Sequence, residues 1–224
     1  LPRKFTSRRF YTDAKGRVRP VAGGGGKTGS VLLAGLVVFG AVGYGGAVGL
    51  TGGSGGGGPG LTVEERTAEG VDQARQGDAE AAWQEMGLHG LNQTGKHRAE
   101  CVDASFGWVQ YFLRTTPCTS MDRALFTVGD DWGNSAVITV AWVEFPSRGD
   151  AEDFHHVVDK PGSGDLEPLG CALVGVADIP FSGQNYGSER DRTTVAVAEA
   201  EVATGYLTPE VLDGLAEVAA RLPR

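Results

Sequence analysis

The reading of this chain turns on MDRALFTV (residues 121–128), GDDWGN (129–134) and SAVITVAWVEF (135–145). The outer runs are rich in β-branched and aromatic residues, which suit a pleated, half-buried surface. The middle run is dense in Gly, Asp and Asn, the residues that turn a chain tightly. Together they predict a β-hairpin. Ala136 to Val143 is apolar on both faces of the pleat, so its strand belongs in the middle of a sheet with Trp142 buried. Asp130, Asp131 and Asn134 resemble calcium ligands superficially, but side-chain acceptors at these positions are what a turn uses to bond its own backbone. Trp132 is left at the tip as a candidate interaction residue, together with Asn185 and Tyr186 in a polar segment further on.

Downstream, Ala151, Phe154, Val157 and Val158 recur at helical spacing. A Gly/Pro/Ser-rich stretch begins at Pro161, strand residues are expected around Ala172 to Ala177, a polar turn region spans Ser182 to Arg192, and a further strand runs from Thr193 to Ala203. Thr208-Pro209-Glu210 offers an N-cap and a first-turn proline for a last helix, whose apolar face is Val211, Leu212, Leu215, Val218, Ala219 and Leu222. Two successive strand-strand-helix units predict an α+β domain of two layers, one antiparallel sheet covered on a face by helices. Its expected extent is residues 91–224, long enough for a core of its own. Upstream, Val102, Phe106, Val109 and Leu113 form one stripe of a helix, and Thr62-Val63-Glu64-Glu65 reads as a capping box. The helix it opens should reach about Met86, with Gly70 and Gly77 as weak points, and residues 61–90 are expected to be a partly exposed stalk.

Before the stalk the composition changes abruptly. Thr28 to Val63 carries no charge, and Val31 to Leu50 is apolar and long enough, at about 1.5 Å per residue, to cross the roughly 30 Å hydrocarbon core of a bilayer. Six of those positions are Gly, each costing about 1 kcal/mol of helix stability in water, a cost better tolerated where a bilayer forces the backbone to bond with itself. A cleaved secretory signal is the competing reading, but the apolar run is longer than a usual signal core and lacks an A-x-A site, so an uncleaved anchor fits better. Of the chain's 20 Lys and Arg, eight fall in residues 1–29 beside one acid of 28. That basic tail is expected to stay cytoplasmic and to lie on anionic lipid. Residues 1–29 are thus read as tail, 30–50 as a transmembrane helix and 51–60 as a Gly/Ser linker. Ala41, Gly45 and Gly49 share one face of the span, where a second helix, in a homodimer, could approach closely.

Chemistry has few local signatures. Gly23 to Thr28 resembles a phosphate-binding loop, but Val21 stands where its first Gly is required. There is no H-E-x-x-H or S-x-x-K sequence and no C-x-x-C pair. His155 and His156 point about 100° apart on their helix and do not share a metal easily with Asp159. His89 and His97 flank a polar, Gly-containing turn and are read as surface residues. No catalytic, metal or cofactor-binding residue is assigned, no cofactor is implied, and no nucleic-acid partner is expected.

The run CVDASFGWVQYFLRTTPCTSMDRALFTVGDD (residues 101–131), with Ala141-Trp142-Val143 and Gly162-Ser163-Gly164-Asp165, resembles a family of actinobacterial membrane-anchored proteins. The likeness covers roughly residues 95–205 and implies a tail, one span and an exported α+β domain, with no activity attached. A fainter similarity is to the extracytoplasmic sensor and lipoprotein domains of mycobacteria, at the level of fold. An exported domain favours disulfides. Cys101 and Cys118 both lie in the family-like segment and are the preferred pair, although a fourteen-residue helix between them would hold them about 21 Å apart. Cys171 sits among Leu169, Ala172 and Leu173, an apolar context for a buried thiol. The functional expectation is a binding or assembly module outside the membrane with a protein partner in the envelope, the alternative being an envelope hydrolase. The discriminating geometry is that of His155, His156 and the Ser182 to Arg192 loop: an acid or a nucleophile within hydrogen-bond reach of a histidine in a cleft would favour the enzyme, and a shallow apolar or aromatic groove the binding module.

Overall fold

The computed structural model describes residues 10–12, 18–20 and 60–224. The expected span, its face of Ala41, Gly45 and Gly49, and nearly all of the linker lie outside the described residues. Among the described residues no helix is long and apolar enough to cross a membrane. In the basic segment β1 (Phe10–Thr12) pairs antiparallel with β2 (Val18–Pro20).

The C-terminal unit begins with α1 (Val63–Arg75). Its capping box is formed: Thr62 Oγ1 accepts from the Glu65 amide at 3.2 Å while Glu65 Oε2 accepts from the Thr62 amide at 2.8 Å. The single long helix expected here is broken at Gly77, whose φ of 85° is easy only for glycine, and Asp78 then caps α2 (Ala79–Glu85). Nor is this pair a stalk. Val71, Ala74, Ala82, Trp83 and Met86 are buried in the main core, and buried Gly70 lets Val218 of the last helix come so near that a Cβ would stand 3.0 Å from its Cγ2. Two edge strands follow, β3 (His89–Gln93) and β4 (His97–Ala99), then α3 (Gly107–Thr115).

The hairpin is formed by β5 (Ser120–Gly129) and β6 (Ser135–Glu144), with Leu125 opposite Thr139 and Asp122 opposite Trp142. Asp130 holds its turn, Oδ1 accepting from the Trp132 and Asn134 amides and Oδ2 from the Asn134 side chain. After α4 (Arg148–Val158) the residues expected as a strand near Ala172 form instead a 3-10 turn, Cys171–Val174, ended by Gly175 in the left-handed region. The polar segment read as a turn contains a strand, β7 (Tyr186–Asp191), and β8 (Thr194–Thr204) and α5 (Pro209–Ala219) complete the chain. Thr208 caps α5 with Pro209 in its first turn.

The sheet is antiparallel throughout, in the order β3-β5-β6-β8-β7, with β4 alongside β3 on the free edge of β5. The class is therefore α+β, as expected, but helices lie on both faces rather than one. Ala124, Ile138, Val140, Trp142 and Ala198 face α1, α2 and α5, whereas Met121, Ala141, Val143, Val195 and Val197 face α3 and α4. A strand apolar at both parities demands cover on both sides, and β6 is buried along nearly its whole length. The Phe112, Phe145 and Phe154 rings pack together in the second core.

Candidate functional site

Three arrangements could carry chemistry or recognition. The first is an open groove of about 280 Å³ on the α1/α2/α5 face, lined by Gly77, Ala79, residues 93–96, Ala124, Phe126, Trp142, Leu222 and Pro223. Its floor is the even-numbered face of the hairpin, and its rim is the loop between β3 and β4. The far wall is the segment after α5, positioned by two contacts. Trp142 Nε1 donates to the Leu222 carbonyl at 2.8 Å. Arg224 Nε donates to Asp122 Oδ2 at 2.7 Å, and its other nitrogens bond Glu144 and Ser120. Burial works against the Arg224 charge, but the two carboxylates outweigh it and raise its pKa. Lys96 stands over the Trp142 ring, Nζ 5.2 Å from its centroid, a cation–π distance.

The second arrangement surrounds His155. Its Nε2 lies 2.9 Å from Ser188 Oγ and 3.3 Å from Asp159 Oδ2. Ser188 Oγ and Tyr186 Oη each donate to Asp159 Oδ1, at 2.7 and 2.9 Å. A serine relay needs the acid on one imidazole nitrogen and the hydroxyl on the other. Here one nitrogen faces both partners, and the serine proton is directed to the carboxylate rather than to the imidazole. The cluster ties the C-terminal turn of α4 to β7. Burial, then the charges of Asp159 and Asp165, raise the Tyr186 phenol well above its usual value.

The third is a carboxyl pair on the α3/α4 face. Burial, followed by the charge and hydrogen bond of Asp165, raises Glu199 well above the ordinary glutamate value. Burial raises Asp165 as well, against hydrogen bonds from Glu199 and the Leu166 amide. Glu199 Oε2 also accepts from the Gly183 amide at 2.8 Å, and Ser182 donates to Glu201. The cavity beside the pair measures about 10 Å³, room for roughly one water, so it is no ligand site.

The three residues proposed from sequence as one interaction surface are not brought together. Trp132 is exposed at the hairpin tip. Asn185 is buried, its side-chain Nδ2 donating to the Ala200 carbonyl at 3.1 Å while its backbone carbonyl accepts from the Ala200 amide. Tyr186 is held by Asp159, opposite Glu199 in the middle of β8. Asn185 stands just before β7 and Tyr186 opens it, each held by hydrogen bonds to neighbouring elements. His89 and His97 lie on the two edge strands. Among the described residues no group of three His, Cys, Asp or Glu side chains could hold a metal. Cys101 and Cys118 are disulfide-bonded, Cα atoms 6.5 Å apart, and Cys171 is a buried free thiol. The 21 Å objection disappears because α3 begins only at Gly107, leaving Cys101 to Ala104 as a turn. Neither groove floor nor Lys96 stood out in sequence, since residues 93–96, 124–126 and 222–223 meet only through the sheet. Compared with protein families, curated proteins and solved structures, the chain matches none.

Proposed function

We propose that this chain is a single-pass, membrane-anchored protein whose α+β domain lies outside the membrane and acts as a non-catalytic binding or assembly module, sensor-like or scaffolding. Its basic tail and span meet lipid, and its partner is a component of the envelope. The apolar run of residues 31–50 and the charge asymmetry around it support the topology. The observation that carries the binding reading is the groove: concave, floored by Phe126 and Trp142, and walled by a segment clamped in place. Sites that bind small ligands or peptide segments are mostly apolar with a few placed polar groups, and this one has that make-up. The hydrolase alternative has Ser188 and Asp159 within reach of His155, but the two share one of its nitrogens, which is not the arrangement of a serine relay.

Position 95 offers a direct test. A Cβ added to Gly95 meets nothing within 4 Å, so a photocrosslinking phenylalanine analogue fits there at the rim. Illumination of native membranes should give a mass-shifted product from position 95. A product from the same analogue at Trp132 but not at Gly95 would move the working surface to the hairpin tip. Absence of products at both would contradict the binding reading.

A further inference from the structure

The groove combines an apolar floor with a single cation. Its apolar surfaces include Ala79, Ala124, Phe126, Leu222 and Pro223, and Lys96 reaches from the rim over the Trp142 ring. Among the described residues no carboxylate pairs with Lys96, whereas the neighbouring Arg224 is taken up by Asp122 and Glu144. The setting makes this notable, because the chain as a whole carries a formal charge of −8 and residues 60–224 are its acidic part. A second donor stands at the same rim: Thr94 Oγ1 accepts from the Leu125 amide at 2.9 Å, which leaves its own proton free to donate. The volume, about 280 Å³, lies near the lower end of small-molecule sites, roughly 300–1,000 Å³.

We propose that the groove takes a small apolar monocarboxylate, its ring or acyl chain on Phe126 and Ala124 and its carboxylate between Lys96 Nζ and Thr94 Oγ1. This inference rests on the reading of the groove as a binding site. Charge complementarity selects the occupant: a cationic ligand would be repelled by Lys96, and a neutral one would leave the ammonium without a counter-charge. An aromatic acid and an acyl chain share this chemistry, so the source is for experiment to separate.

The test is calorimetric titration of the full chain in phosphatidylcholine nanodiscs, with empty nanodiscs subtracted, against phenylpropionate, octanoate and neutral phenylpropanol. At least one acid should bind, and the tighter of the two identifies the source as aromatic or acyl. Phenylpropanol should bind about tenfold more weakly than phenylpropionate if the aromatic acid is the ligand, the usual weight of one charged hydrogen bond. Lys96→Gln should weaken the bound acid about tenfold with the melting temperature unchanged, and Lys96→Arg should restore binding to within a few-fold. A purely structural lysine over Trp142 would instead lower the melting temperature and leave acid affinity alone, which overturns the proposal. Should Lys96→Gln prove unstable, the preference of the unaltered chain for acid over alcohol decides, with octanol as the neutral match for octanoate. Equal affinity for acid and alcohol would refute the carboxylate while leaving the groove as a binding site. Failure of every compound to bind refutes the ligand class, and crosslinking at position 95 then shows independently whether the binding reading survives.

Discussion

Trp142 and Trp132 occupy one hairpin in opposite environments, 2% and 62% exposed. Truncating a buried aromatic loses transfer energy and leaves a cavity, about 3–5 kcal/mol, out of the roughly 5–15 kcal/mol that a domain has. Trp142→Ala also orphans the Leu222 carbonyl and frees the groove wall. It should lower the melting temperature severely in a thermal melt, whereas Trp132→Ala should change it little. Equal, small shifts would contradict the burial. Glu199 makes a different residue-scale prediction. Its carboxyl is raised in the folded state, so it contributes full stability below the ordinary glutamate value and loses that contribution as pH rises through the folded value. Melting temperature followed from about pH 4 to about pH 8 should therefore fall more steeply for the unaltered chain than for Glu199→Gln, whose amide can still donate to Asp165. Identical slopes would mean that Glu199 does not hold its proton.

At the scale of elements, legibility followed how local the cause is. The hairpin, α4, β8 and α5 were readable because each carries its own signal: β-branched runs, helical spacing, Thr208 before Pro209. The edge strands β3, β4 and β7 were not, because HGLNQ, HRA and YGSERD contain almost no apolar alternation and owe their conformation to the strands beside them. The strand expected around Ala172 to Ala177 failed for the opposite reason. An apolar run of that length reads equally as strand or turn, and Gly175 in the left-handed region ends it. Helix α3 came out shorter than its apolar stripe, and that shortening lets Cys101 meet Cys118. Closing a loop of this size is worth about 3 kcal/mol in the chain-entropy account. Reduction should thus lower the melting temperature by several degrees, and alkylation of the denatured, unreduced chain should label one of its three cysteines, Cys171. Labelling of all three would show that the bond is not made.

Across the whole molecule, the apolar pattern of β6 at both parities already called for cover on two sides, yet the helices were counted onto one. The layer left uncounted contains α5 together with α1 and α2, and in sequence the last two read as a stalk. They looked like a stalk because their apolar residues are few and several are small, Gly70, Ala74 and Ala82, which carry little hydrophobic signal although they pack beside buried Trp83 and Met86. The groove was invisible for a related reason, being assembled from short segments far apart in the chain. The central proposal for this chain is that its C-terminal domain lies outside the membrane. Protease added to intact, wall-stripped cells, with tags at both ends, is the measurement that bears on it most directly. The account predicts that the C-terminal domain is digested while the basic tail stays protected. A domain that survives until the membrane is broken would contradict it.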